Sequence, residues 1–127
     1  MKVKVDEITC ENSNIIVYFS NDFGGAKAYW DGEKPIAHQE YQVEVDIDNT
    51  LDWHKDVLPD NDCKGSIQLK NDSIFISGCI DSIDNDGYTV LRLGDSIIPF
   101  LTTGTPFQVG TYATLSVETI TLSPVNY

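Results

Sequence analysis

The stretch S-I-F-I-S-G-C-I-D-S-I-D-N-D-G-Y-T-V-L-R-L-G-D-S-I-I-P-F-L, residues 73–101, decides the fold class. It reads as three short strands joined by two tight turns. Ile74, Ile76 and Ile83 are its first apolar set, with Gly78 between them. The turn Asn85-Asp86-Gly87 leads into Tyr88, Val90, Leu91 and Leu93. The turn Leu93-Gly94-Asp95-Ser96 leads into Ile97, Ile98, Phe100 and Leu101. Glycine, asparagine and aspartate tolerate the backbone such turns need, and β-branched and aromatic residues suit the strands between them. Gly78 predicts a bulge or sharp bend, and Pro99 limits its strand to an edge or a break.

Working outward, Asn71-Asp72 folds residues 66–70 back onto residues 73–77 as a hairpin. Residues 2–5 alternate and continue to Ile8, and residues 15–19 are β-branched and aromatic. These two strands form a second hairpin around residues 11–14. Residues 21–39, with Gly24-Gly25 and Asp31-Gly32, predict a long irregular excursion carrying Phe23, Tyr29 and Trp30. Residues 51–58 suggest one or two helical turns with Leu51, Val57 and Leu58 inward. Residues 111–122 read as one last strand, and residues 123–127 as a tail. The expected architecture is mostly β: a small antiparallel Greek-key barrel of about 6–8 strands with little helix. A length of 127 residues predicts a single domain spanning residues 1–127.

Charge excludes several partners. Eight basic and 20 acidic residues leave a net charge of −12. Nucleic-acid backbones and anionic membrane surfaces need cationic neutralisation, so neither is an expected partner. The sequence has no apolar run long enough for a membrane helix, and its first residues lack the apolar core of a signal peptide. The expected location is the cytoplasm. Cys10, Cys63 and Cys79 are odd in number and far apart, which predicts free thiols.

The acids are concentrated. Between Glu40 and Asp62 there are eight carboxylates against the single lysine Lys55, a net −7 and more than half of the whole excess. Tyr41, Val43, Val45 and Ile47 alternate with Glu40, Gln42, Glu44, Asp46 and Asp48. A strand with this period lines up its acids on one face about 7 Å apart. Such a row must be solvated or met by cations. The candidate partner-binding residues are therefore Glu44, Asp46, Asp48, Asp52, Asp56, Asp60 and Asp62, with Trp53 and Trp30 as aromatic anchors.

No motif announces catalysis. Residues 82–87 brush the calcium-loop pattern but place Ser82 first and Leu93 at the twelfth position. His38 and His54 lack a histidine partner at helical spacing, and no phosphate-binding glycine loop or nucleophile elbow occurs. No metal, cofactor or enzymatic activity is expected.

The order glycine-bent strand, hairpin, then Pro106-Phe107-Gln108-Val109-Gly110-Thr111-Tyr112 into a final strand resembles an OB-like barrel. It is similar, too, to small acidic β-domain proteins of the bacterial toxin-immunity type. The first resemblance implies a fold without its usual ligand, because Arg92 is the only arginine. The second implies a protein-binding module that neutralises a basic toxin or nuclease. The alternatives are a small-ligand-binding barrel with a pocket lined by Phe23, Trp30 and Phe107, and a self-assembling structural subunit.

Overall fold

The computed structural model describes residues 1–125, and these fold without a helix into twelve strands. In chain order they are β1 (Lys2–Glu11), β2 (Asn14–Asn21), β3 (Gly24–Trp30), β4 (Glu40–Ile47), β5 (Leu51–Asp52) and β6 (Val57–Pro59). Then come β7 (Ser66–Lys70), β8 (Ser73–Ile83), β9 (Tyr88–Leu93), β10 (Ser96–Thr103), β11 (Tyr112–Val117) and β12 (Ile120–Pro124).

Five of them close a barrel. β1 pairs with β2 and β2 with β3 in antiparallel register. β3 meets β12 in parallel, with Tyr29 opposite Thr121 and Trp30 opposite Leu122. β12 pairs antiparallel with β4, and β4 returns to β1. Val3, Val5, Val17, Phe19, Ala28, Trp30, Val43, Val45 and Leu122 are buried, while their neighbours along each strand are more exposed. Period-two alternation produces this division, because successive side chains leave opposite faces of a strand. The closed barrel is consistent with the OB-like expectation, but its strands come from the two ends of the chain. Of the glycine-bent region that suggested the resemblance, only β12 enters it.

The intervening chain builds a second ring of pairings. β8 pairs with β9, β9 with β10, and β10 with β5 in parallel at Thr102–Leu51 and Thr103–Asp52. A bridge from Trp53 to Val57 passes the ring to β6, which pairs with β11, and β11 returns to β8. Leu51, Val57, Ile76, Ile80, Leu91, Ile98, Phe100 and Leu115 are buried here, and they belong to the same hydrophobic cluster as the barrel. Each fully buried aliphatic side chain contributes roughly 1.5–3 kcal/mol. β7 ties the two rings together. It pairs with β8, and its Ile67 bridges Gly24 of β3 while donating its N–H to the Phe23 carbonyl at 2.9 Å. Gly24 has φ 132°, and any side chain there would fall on the Ile67 carbonyl.

The turns follow the sequence closely. Asn12-Ser13 (φ 51° and 68°) joins β1 to β2, and Asn71-Asp72 (φ 51° and 65°) joins β7 to β8. Both are two-residue turns with two positive φ values, the geometry that matches strand twist.

Four expectations change. The excursion over residues 21–39 contains β3, a regular barrel strand: Ala26, Ala28 and Trp30 alternate inward although the run Gly24-Gly25-Ala26-Lys27-Ala28 has low strand propensity. Residues 51–58 form no helix. His54 adopts φ 71°, and the Trp53–Val57 bridge holds the segment as two short strands, leaving Leu58 exposed. The last strand divides at Glu118-Thr119, so that β11 serves the second ring and β12 the barrel. The predicted tail continues β12 to Pro124, and Val125 donates its N–H to the Gln42 carbonyl at 2.9 Å. Asn126 and Tyr127, also assigned to that tail, lie outside the described residues. These changes raise the strand number above the expected range.

Gly78 acts by close approach. The bulge in β8 falls between Ile80 and Ser82, opposite β9. At Gly78 a Cβ would stand 2.5 Å from the Arg92 carbonyl oxygen and 3.1 Å from the Leu91 side chain. Here β8 changes neighbour, pairing with β7 up to Ser77 and with β9 from Cys79. Gly78→Ala is expected to destabilise the protein by about 1–3 kcal/mol through overpacking. Urea unfolding followed by tryptophan fluorescence measures it, and a stability equal to wild type would contradict this packing.

Candidate functional site

β4 carries the acidic face. Val43 and Val45 point into the barrel, while Glu40, Gln42, Glu44 and Asp46 are exposed. Glu40 is paired with Lys2 at 3.6 Å. The Met1 amino group donates to the Val43 carbonyl at 2.8 Å; burial pushes its pKa down, and Glu44 opposes that shift.

Glu44 and Asp46, with Met1, Lys2 and Gln42, form one wall of a groove of about 650 Å³. The facing wall comes from the second ring: Tyr88 of β9, Asp95 of the β9–β10 turn, and Ser96, Ile97 and Pro99 of β10. The pairing register explains the apolar part of this wall. Ile98, Phe100 and Thr102 face the core, so Ile97, Pro99 and Leu101 take the outer face. Across from them β9 sets Arg92, Val90 and Tyr88. Ile97 is 58% exposed, Leu101 51% and Tyr88 44%. Cross-strand apolar pairs on a solvated sheet face leave a patch of the kind that marks interaction surfaces.

The other predicted acids disperse. Asp48, just past β4, accepts from the Thr121 hydroxyl at 3.0 and 3.1 Å. Asp52 accepts from the Thr103 hydroxyl, and Asp56 accepts the Asp52 N–H at 2.9 Å. Asp60 accepts the Asp62 N–H at 3.0 Å. Asp60 and Asp62 line a different groove, with Lys64, Gln68, Lys70 and Phe75. The seven carboxylates therefore do not share one surface, because the chain turns twice between Asp48 and Asp60. Glu44 and Asp46 alone stand in the groove between the rings.

Both tryptophans are core residues. Trp30 is 6% exposed and donates its Nε1–H to the Glu33 carbonyl at 2.8 Å, with Tyr41 packed edge-on at 5.2 Å. Trp53 is 5% exposed and meets Phe107 at 5.1 Å. Neither offers an exposed ring to a partner. An inward strand position claims Trp30, and the bridge to Val57 claims Trp53. Tyr88 and Ile97 supply the exposed apolar surface instead. The signal for Ile97 lay in the run Ile97-Ile98-Pro99-Phe100-Leu101, which is apolar at both parities and so must expose apolar residues on whichever face is outward.

The alternative ligand pocket is not assembled. Phe23 packs over Gly65 and Gly94, Trp30 lies inside the barrel, and Phe107 sits against Trp53 and His54. Phe107 does line an open cleft with the residues of the 84–87 turn and Val109. Gly87 also lines it, and its carbonyl accepts from the Thr102 N–H at 2.8 Å and from the hydroxyls of Thr89 and Thr102 at 3.2 and 2.9 Å. No group of three His, Cys, Asp or Glu side chains converges among the described residues in a way that could hold a metal ion. Nor is any helix long and apolar enough to cross a membrane.

No protein-family model matches the chain, and neither a curated protein nor a solved structure is significantly similar to it. What the structure defines is a class: an all-β protein with a closed five-strand barrel, consistent with an OB-like barrel.

The assignment of faces in β10 is directly testable. Ile98→Ala is expected to cost about 2–5 kcal/mol as a buried deletion. Ile97→Ala should stay within about 0.5 kcal/mol of wild type as a surface change. Paired thermal and urea unfolding of the two variants checks the assignment, and a reversed order would overturn it.

Proposed function

We propose that the protein is an acidic binding module for a basic protein partner in the cytoplasm. An immunity-type inhibitor of a basic toxin or nuclease is the most specific form of this reading. Its function is then capture, with no catalytic step.

One observation carries the proposal. The ion pairs among the described residues are Lys2–Glu40, Lys27–Asp72 and Arg92–Asp81. None involves Glu44, Asp46, Asp48, Asp52, Asp56, Asp60 or Asp62. These seven carboxylates thus form no ion pair among the described residues, and the cations near them are few: the Met1 ammonium by Glu44, and Lys64 and Lys70 beside Asp60 and Asp62. Unmatched like charges on a folded surface repel one another, and a cationic partner relieves that repulsion. The same field accelerates association by long-range steering. With both indoles buried, Tyr88, Ile97 and Leu101 become the exposed apolar candidates for the desolvated centre such an interface needs.

Neutralising the ridge by combining Glu44→Gln, Asp46→Asn and Asp48→Asn should slow association with the basic partner by about tenfold or more at low salt. The partner is first isolated by pull-down from native lysate at low and moderate salt and identified by mass spectrometry. Stopped-flow association as a function of salt then reads the effect. An association rate that ignores both salt and the substitutions would refute the electrostatic assignment.

A further inference from the structure

The groove between β4 and β10 carries information about the shape of its occupant, not only its charge. β10 pairs with β9 along residues 96–101, and its other edge meets β5 only at Thr102 and Thr103. The ladder alternates. The Thr102 N–H reaches the Gly87 carbonyl beyond β9, whereas the Thr103 carbonyl accepts the Trp53 N–H on the opposite side. Residues of odd number in β10 therefore turn their backbone groups away from β9. Among the described residues, the N–H and C=O of Ile97 and the C=O of Pro99 have no strand partner there. Pro99 fits this edge position, since its missing N–H removes nothing from the β9 ladder.

We propose that this groove docks an extended segment of a partner protein in which basic and apolar side chains alternate. The inference rests on the binding-module reading and specifies its site and its ligand. Three features favour this occupant. Glu44 and Asp46 are two residues apart on one strand, so their carboxylates repeat at about 7 Å, the same-face repeat of another extended chain. Ile97, Pro99 and Tyr88 set apolar surface opposite Glu44 and Asp46, and although Lys2 and the Met1 ammonium also line the groove, Asp95 keeps its carboxylates in the majority, so apolar and basic side chains of opposite parity on the guest each find a match. The open backbone groups of Ile97 and Pro99 can hydrogen-bond a guest main chain, as in strand addition. A second copy of this chain is disfavoured, because Glu44, Asp46 and Asp95 would face their own counterparts and Pro99 withholds a donor.

The test uses the full chain and a fluorescently labelled peptide of alternating lysine and isoleucine. A peptide of the same composition, with its lysines and isoleucines segregated into blocks, is compared with it by anisotropy. The alternating peptide should bind more tightly. Its affinity should fall about tenfold or more with Asp46→Lys or with Ile97→Asp, while Asp22→Lys, an equal charge change outside the groove, has a smaller effect. Circular dichroism and unfolding curves confirm that the variants fold.

Equal affinity for the two peptides would overturn the proposal, because charge alone would then suffice. So would no binding, or binding indifferent to Ile97→Asp. A concentration-dependent mass abolished by Ile97→Asp, with no peptide binding, would assign the face to a second copy instead. The two readings fail separately. A basic partner whose association depends on the Glu44 and Asp46 charges but not on Ile97 would retain the module and remove this groove. A chain whose salt-sensitive capture of basic protein is absent altogether would remove both.

Discussion

The parallel contact of β3 with β12 is the constraint on which the structure depends. It brings Tyr29 and Trp30 beside Thr121 and Leu122, more than ninety positions later in the chain. With β12 also paired to β4, this contact closes the barrel. Without it, β12–β4–β1–β2–β3 is an open five-stranded sheet with unpaired edges at β3 and β12, and the inward Ala26, Ala28 and Trp30 have less to pack against. Everything from the end of β4 to the start of β12 must therefore leave the barrel and return to it. That segment uses the excursion to build a ring of its own.

The groove is a consequence of this path. β4 belongs to the barrel, β10 to the second ring, and they are brought alongside each other without pairing. Sheet edges that approach but do not pair leave a crevice whose two walls have separate origins. One wall is the polar outer face of a barrel strand. The other is the outer face and edge of a strand that is apolar on both sides. Their chemical contrast thus arises from the topology itself. Like-charge repulsion on the β4 wall is tolerated because Glu44 and Asp46 are solvated, and because the core side of the strand, Val43 and Val45, is fully engaged.

How much of this was legible follows from range. Hairpins are local: Asn12-Ser13 and Asn71-Asp72 state their own turn geometry, and both were readable. The alternation in β4 was readable for the same reason, so the exposed row Glu40, Gln42, Glu44 and Asp46 was placed correctly on one face. What could not be read is what lies beside what. β3 looked like a loop because glycine and alanine have low strand propensity. It is a strand because it packs inside a barrel closed by a distant partner. Trp53 looked like an anchor because it sits among acids in sequence. In space its ring is turned inward against Phe107 and its backbone bridges Val57. Residues 51–58 read as helical by the spacing of Leu51 and Val57, but two strand pairings, to β10 and β11, outweigh the propensity of so short a segment.

The dispersal of the acids sharpens the functional argument. Linear clustering suggested one continuous acidic surface from Glu44 to Asp62. Folding divides it by role: Asp48, Asp52, Asp56 and Asp60 accept hydrogen bonds that fix turns or tie strands, and Asp62 lies over a different groove. A carboxylate that holds a turn is costly to replace but carries little information about a partner. Glu44 and Asp46 make no such hydrogen bond or ion pair among the described residues, yet they face an exposed apolar wall. Charge that forms no internal ion pair beyond the nearby Met1 ammonium, set beside exposed apolar surface, is the combination a binding surface requires. By this criterion the proposed recognition surface belongs at the junction of the two rings and not along the acidic segment as a whole.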